Sequence, residues 1–344
     1  MAYEDRYQRG EQPLQLGVPN VFNIPPGYNI IQGKIIVDAT LTIATSTAAG
    51  TPVGDGGVVN LFRRIRMIAN PAAPNANGPS RYPSGALVNL TPRSLLRYAI
   101  TQRQGKYMTA LQGDPTLGGG VNGVYPLYFE IPIYFYNPNL VNPMQTALNM
   151  NQLDSQGRPV YSQVQLQLDV AELLTELFSG NNGTLTAAGT VRWADDRLDL
   201  GSGGTDTLPL VQEDHYSLIY AGNDQWVDGG MPNDGLFESW LLMAEQGSPA
   251  YALSDAILNR LRITAPTLNF YEIYQTIRQA MYNDAFVDPS QSATGLFFLD
   301  WTKGALGNSN PAAGIQAQFE VNNPSGSGLD RFRIYTRRIK PLGA

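Results

Sequence analysis

The sequence predicts a mainly β chain built as antiparallel sandwiches. Three observations carry this reading: apolar and polar residues alternate with period two, turn-rich segments separate the alternating stretches, and one order of elements occurs twice. In KIIVDATLTI, Ile35, Val37, Ala39, Leu41 and Ile43 share one face, while Lys34, Asp38, Thr40 and Thr42 share the other. QVQLQLDV sets Val164, Leu166, Leu168 and Val170 against Gln163, Gln165, Gln167 and Asp169. IQAQFEVN does the same with Ile315, Ala317, Phe319 and Val321. Such alternation marks half-buried strands with one wet face. The separators AAPNANGPSRYPSG and GDPTLGGGVNG are turn chemistry.

Taken in chain order, residues 1–26 show weak periodicity and run into NIPPGYN, which predicts an arm outside the first domain. Strands follow, and TPRSLLRYAITQRQG predicts a helix with Thr91 as N-cap and Pro92 in the first helical position. VYPLYFEIPIYFY, from Val124 to Tyr136, reads as a buried strand, and AELLTELF as a short helical turn. The glycine cluster LGSGGTD, Leu200 to Asp206, predicts a linker; no helix or Lys follows it, so it is not a phosphate cradle. TLNFYEIYQTIRQAMY predicts a second Thr-capped helix with the stripe Phe270, Ile273, Tyr274, Ile277 and Met281.

The stretch NLFRRIRMIAN places Arg63, Arg64 and Arg66 within four residues, as a phosphate contact would. Its echo, ILNRLRITA, argues otherwise. With Ile65-Arg66-Met67 set against Leu261-Arg262-Ile263, Arg64 and Arg66 match Arg260 and Arg262. Each copy leads to a helix and then to an aromatic strand, PLYFEIPIYFY or GLFFLDW. The intervening loops differ in length, as free surface loops do after a duplication. The arginines therefore belong to a repeated domain.

Composition narrows the function classes. The 344 residues predict two domains. The formal net charge is −6, whereas extended phosphate binding needs a surplus of Lys and Arg, so sequence-specific nucleic-acid binding is not expected. Only 15% of residues are charged, which suggests wide neutral surfaces that pack against copies of the same chain. The absence of Cys excludes disulfides and thiolate chemistry. MAYEDRYQRG has no apolar core of a signal peptide, and no apolar run reaches the 18 residues that span a bilayer.

Catalytic and metal chemistry find little support. His215 is the single histidine, and with no Cys a nitrogen or sulfur metal site is not expected; neither is a cofactor. Asp195 and Asp196 are adjacent, so on a strand they face opposite ways and make no glycosidase pair; Arg192 and Arg197 predict a solvated ion-pair cluster instead. Ser94 and Ser239 lack a nucleophile-elbow context. Asn89 and Asn182 match the glycosylation pattern, which matters only in a secretory pathway. In the closing DRFRIYTRRIK, Arg331, Arg333, Tyr335 and Arg337 share one strand face, with Arg338 and Lys340 nearby. This face reads as a contact with lipid headgroups, genome or an acidic neighbour, or as an outer face balanced by acids. Tyr3, Arg6, Tyr7 and Arg9 form a weaker aromatic-basic cluster of the same kind.

Two consecutive sandwich domains in a low-charge chain without Cys, with NIIQGKIIVDATLTI followed by VVNLFRRIRMI, then GLFFLDWTKG and the closing GLDRFRIYTRRI, resemble a known family. They are similar to the double jelly-roll major capsid proteins of tailless icosahedral bacteriophages with an internal membrane. That is the tectivirus and adenovirus lineage, corticovirus- and finnlakevirus-like phages included. The likeness covers most of the chain in order. It implies two consecutive eight-stranded antiparallel jelly rolls with one helix inserted in each, at 27–202 and 203–344, after an arm at 1–26. It implies a non-enzymatic coat subunit, assembled in the host cytoplasm into pseudo-hexameric homotrimers that tile a shell over a lipid membrane. Neighbouring trimers, vertex or penton proteins and minor capsid proteins are the implied partners. The rival reading is a secreted two-module carbohydrate-binding protein or glycosidase whose Trp193, Trp226, Trp240 and Trp301 line a sugar groove.

Overall fold

The computed structural model describes residues 4–25, 27–45, 51–53, 57–69, 85–95, 122–135, 147–151, 161, 163–180, 183–198, 207–217, 223–229, 236–247, 251–265, 268–274, 295–301, 315–325 and 330–341. In chain order the first half supplies β1 (Glu4–Pro13), β2 (Asn20–Ile24), β3 (Asn29–Thr45), β4 (Thr51–Pro52), β5 (Phe62–Ala69), β6 (Gly85–Leu90), β7 (Gly123–Tyr134), β8 (Leu148–Asn149), β9 (Val164–Val170), β10 (Phe178–Ser179) and β11 (Gly183–Leu198). The second half supplies β12 (Thr207–Ser217), β13 (Gln225–Gly229), β14 (Leu236–Gln246), β15 (Ala252–Leu253), β16 (Leu258–Ala265), β17 (Leu268–Tyr274), β18 (Leu296–Asp300), β19 (Gln316–Val321) and β20 (Arg331–Pro341).

Hydrogen bonding arranges these strands in one scheme used twice. The first half pairs β1-β11-β3-β7 in one sheet and β2-β9-β5-β6 in the other. The second half pairs β12-β20-β14-β18 and β13-β19-β16-β17. Counting the eight main strands of each half, both read first-eighth-third-sixth and second-seventh-fourth-fifth. This is the eight-stranded double-sheet order of a jelly roll. The short β4 and β10 pair with each other, β8 pairs with β3, and β15 with β14. A two-residue parallel contact, Val211 with Val88 and Gln212 with Asn89, joins β12 to β6 and carries one sheet from roll to roll.

The alternating residues occupy the faces that their period dictates. Ile35, Val37, Ala39, Leu41 and Ile43 of β3 are buried, as are Val164, Leu166, Leu168 and Val170 of β9. Ile315, Ala317, Phe319 and Val321 form part of the second core. The strands β5 and β16, which carry the repeated arginines, are the fourth main strand of their rolls. Arg64 lies opposite Asp169 and Arg66 opposite Gln167. Arg260 lies opposite Glu320 and Arg262 opposite Gln318. The match thus extends to the partner strand, where QLQLDV of β9 corresponds to QAQFEV of β19. β7 closes its sheet at one end of this order, a place that tolerates Pro126 and Pro132, which have no N–H to give. Its Leu127, Phe129, Ile131 and Ile133 are buried, but Val124 and Tyr128 are exposed, so the first part of the strand is buried on one face only, while Pro132 and Tyr134 bury the second face toward its end.

Two expectations need correction. The segment read as an arm, 1–26, contributes two main strands. β1 pairs with β11 from Glu4 opposite Leu198 to Pro13 opposite Thr190, and β2 pairs with β9. The Gln12 amide then clips the two sheets together: its Nε2 donates to the Val21 carbonyl at 2.5 Å and its Oε1 accepts from the Val21 N–H at 3.0 Å. These polar contacts leave no apolar period in the sequence. The second correction concerns the helix expected to start after Thr267. Residues 268–274 form β17, which pairs with β16 from Ala265 opposite Leu268 to Arg260 opposite Tyr274. Phe270, Tyr271, Ile273 and Tyr274 are strand formers, and a partner edge was available four residues away. In strand order β17 is the equivalent of β6, and residues 275–294, where a helix would follow it, lie outside the described residues.

In the first roll the equivalent turn is present at residues 92–95, with the Ser94 and Leu95 N–H groups donating to the Thr91 carbonyl. Its expected continuation beyond 95 lies outside the described residues, as does the junction at 199–206. AELLTELF contains the short helix Leu174–Leu177.

Close packing sets one sharp constraint. A Cβ on Gly33 of β3 would lie 1.8 Å from the indole of Trp193, which is wholly buried on the neighbouring β11. Gly33→Ala should therefore destabilise the chain by about 1–3 kcal/mol, read as a lower urea midpoint at unchanged slope. Deleting residues 1–15 removes β1, and the product should show no cooperative unfolding transition. A truncated chain that melts like the full one would restore the arm.

Candidate functional site

The second roll meets the first through β14 and β20, strands buried on both faces. On β14, Trp240, Leu242 and Ala244 belong to the second core, while Leu241 and Met243 pack into the first. On β20, Phe332 and Ile334 belong to the second core and Tyr335 to the first. Alternation then dictates that Arg331, Arg333 and Arg337, on the Tyr335 side, face the seam.

Two carboxylates receive them. Glu245, with no exposed surface, takes Arg331 Nε at 2.6 Å and Arg333 Nε at 3.2 Å on Oε2, and Arg93 Nη2 at 2.8 Å on Oε1. Arg93 comes from the first roll, so this carboxylate ties the two halves together. Arg333 Nη1 also reaches Thr91 Oγ1 at 3.4 Å. Glu238 sits where the β14–β20 register shifts between Phe237 and Ser239, a bulge that turns its carboxylate toward Arg337 Nε at 3.1 Å. Arg337 further donates to the carbonyls of Tyr134, at 2.6 Å, and Phe135, at 3.2 Å, at the end of β7. In a low-dielectric seam such charges persist only when paired and hydrogen-bonded, and loss of one partner strands the others.

A cleft of about 240 Å³ opens along this seam, between Arg63, Thr91, Arg93 and Glu176 of the first roll and Tyr251, Arg331 and Arg333 of the second. Arg331 lies 3.3 Å above the Tyr251 ring. At the rim, Glu176 accepts Arg63 Nη2 at 2.8 Å and also Nε. Burial alone would raise the Glu176 carboxyl, but Arg63 and the N–H groups of Leu173 and Glu172 hold it below its ordinary value.

The sequence-derived sites fall as follows. Arg333, Arg337 and Arg338 are 8%, 2% and 2% exposed, so they are interior residues and not a surface for headgroups, genome or a neighbour. Arg331 is held by Glu245 in the same network. The sequence placed these arginines on one face correctly, but the first roll covers that face. Lys340 pairs through its backbone with Leu208. Arg6, Tyr7 and Arg9 lie on β1 opposite Asp196, Asp195 and Trp193. The side chains of these four residues, Tyr3 and the His215 side chain lie outside the described residues.

Asp195 and Arg197 pair at 2.5 Å, but both are buried, with Trp193 Nε1 also donating to Asp195 at 3.2 Å. The expected solvated cluster is corrected: period two puts Trp193, Asp195 and Arg197 on one inward face, and Arg192 instead meets Glu11 at 3.0 Å and Asp38 at 3.5 Å. Ser94 and Ser239 are buried. Asn89 accepts a 2.7 Å hydrogen bond from Arg64, and Arg66 is bound by Asp169 at 2.8 Å, so the basic stretch is engaged within its own sheet. Trp193, Trp240 and Trp301 are core, the latter two with ring centroids 4.7 Å apart. Trp226 lies under Arg260 and Arg262. No shared tryptophan groove forms. Among the described residues no group of three His, Cys, Asp or Glu is placed to hold a metal ion.

Sequence reasoning missed Glu238, Glu245, Thr91 and Arg93. A signal was present: LFESWLLMAEQ is an apolar strand interrupted by two acids, and the closing strand supplies basic residues at matching spacing. The network should be measurable. Glu245→Gln is expected to cost about 3–5 kcal/mol in urea unfolding. Arg66→Gln, which breaks a part-exposed pair between β5 and β9, should cost under about 1 kcal/mol.

No family model matches the sequence, and no curated protein sequence matches it significantly. Solved structures do match over nearly the whole chain. The STIV major capsid protein (Sulfolobus Turreted Icosahedral Virus) is similar with TM-score 0.66 and 11% identity, over 99% of this chain and 98% of that one. The Faustovirus major capsid protein gives 0.59 and 8%, over 99% and 90%. The major capsid protein P2 of bacteriophage PM2 gives 0.54 and 9%, over 98% and 97%. At these identities the likeness concerns the fold: this chain has the double jelly-roll fold of those proteins.

Proposed function

We propose that this chain is a major capsid protein that forms pseudo-hexameric homotrimers and tiles an icosahedral shell over an internal membrane. The observation that carries the reading is the use of one strand order twice in a single chain. Three such chains around an axis present six comparable rolls, so a trimer fills a hexagonal position in a closed lattice. The full-length likeness to viral major capsid proteins supports the same reading. Exposed Val124 and Tyr128 on β7 and the Gln face of β9 are weakly charged, as surfaces between subunits are.

A membrane between shell and genome accounts for a coat of net charge −6, since such a coat need not hold DNA. Vertex and minor capsid proteins are the further partners of this reading. Catalysis has no part in it. A carbohydrate-binding role is not favoured, because three tryptophans are core and the fourth is covered by arginine.

Light scattering of the purified protein should report three times the 37.5 kDa chain mass at all concentrations. Electron micrographs of assembled material should show hexagonal tiles in closed shells, and lipid phosphorus should sediment with them. A concentration-independent monomer would defeat the proposal.

A further inference from the structure

Each roll has a sheet made of its first, eighth, third and sixth main strands, and the chain treats the two copies of that sheet differently. In the second roll the outward side of β12-β20-β14-β18 is covered by the first roll. There Leu241, Met243, Leu296 and Tyr335 pack into the first core, and the Arg337–Glu238 and Arg331–Glu245 pairs lie inside the seam. In the first roll the outward side of the equivalent sheet, β1-β11-β3-β7, is open over part of its length. Toward one end it closes, with Lys34, Ala194 and Tyr134 buried. Toward the other, Val124 and Tyr128 are 67% and 43% exposed, Thr186 and Ala188 are exposed, and Thr40 and Thr42 are half-buried.

The open side carries the same pattern of charge as the covered one. On the covered sheet, arginines of the eighth strand meet acids of the third. On the open sheet Arg192 of the eighth strand meets Asp38 of the third at 3.5 Å, and Glu11 of the first at 3.0 Å. Beyond Asp38 the described outward residues are uncharged. Strand register sets Thr186, Thr42 and Val124 in one row across the sheet and Ala188, Thr40 and Pro126 in the next. Such a surface gives up little charge hydration on contact, and Ala188 and Pro126 have no rotamer freedom to lose.

Closure supplies the occupant. A first roll seated on the face of a second roll is a heterologous contact, and heterologous contacts close into a ring only when every unit's equivalent face is covered in turn. Within one chain that face is covered on the second roll and open on the first. We propose that the outward side of β1-β11-β3-β7, at the rows of Thr40 and Thr42, docks the second roll of a neighbouring copy, as the first roll docks on β12-β20-β14-β18 within the chain. This rests on the trimer reading above and assigns the face through which its chains meet.

Val124→Lys combined with Ala188→Lys tests the face. In a separate chain both lysines stand in water, but in the assembled ring they are buried without partners. Light scattering should give a mass threefold below that of the parent, with the near-ultraviolet circular dichroism of the folded chain retained. A variant that keeps the parent's trimer mass overturns the assignment and leaves the trimer reading standing, whereas a monomeric parent overturns both. A second measurement needs no added charge. The chain has no Cys, so Thr40→Cys carries one thiol, to which a benzophenone maleimide can be attached. Irradiation should yield a band of twice the chain mass in which residue 40 is joined to peptides from residues 207–344. Joining to residues 1–198 of the other chain, or no such band from a trimeric sample, overturns the assignment. If the lysine variant does not fold, the cross-link decides alone.

Discussion

The molecule depends on a strand of arginines buried at its centre. β20 fills a place that apolar residues usually occupy, with one face in the second core and the other against the first roll. Its charges are tolerated because Glu245 and Glu238 meet them inside the seam and because Arg93 and the Tyr134 and Phe135 carbonyls complete the contacts from the opposite half. An apolar seam of the same area permits sliding, since burial is not directional. Ion pairs with paired hydrogen bonds fix both distance and orientation. The two rolls are thereby held in one register.

The rolls themselves show how much of a duplicated unit can change. Strand order is the same in both, and so is the pairing in the sheets β2-β9-β5-β6 and β13-β19-β16-β17, where arginines of the fourth strand lie opposite Gln and an acid of the seventh. These are the contacts that set register across a sheet, and a slip of one residue would exchange the wet and buried faces. Cores are filled differently. The first is aliphatic around β3 and β9, whereas the second has a cluster of Phe237, Trp240 and Trp301 at its seam end. The strand pattern is the same while the individual core side chains are not.

What the sequence by itself determined is the local pattern. Period two in β3, β9 and β19 assigned strand and buried face together, because a pleated strand must send alternate side chains to opposite sides. The helix start at Thr91 and the short helix at Leu174–Leu177 were legible from propensity and capping. The arginine pairs of β5 and β16 were legible as a repeat. Where a segment's partner lay far along the chain, pattern failed. β1 is polar and holds its place by pairing with β11, about 185 residues away, and by the Gln12 clip. Residues 268–274 suit a helix stripe and a strand equally, and the adjacent edge of β16 decided for the strand.

The candidate site was decided by tertiary structure alone. Spacing put Arg331, Arg333 and Arg337 on one face of a strand, but no local rule says whether that face meets water, a membrane or the other half of the molecule. Glu238 and Glu245 lie about 90 residues earlier, and Arg93 more than 200, so the network exists only once both rolls have docked. Charge is read from sequence as a property of residues; its meaning depends on the dielectric around it, and burial of β20 by the first roll settled that.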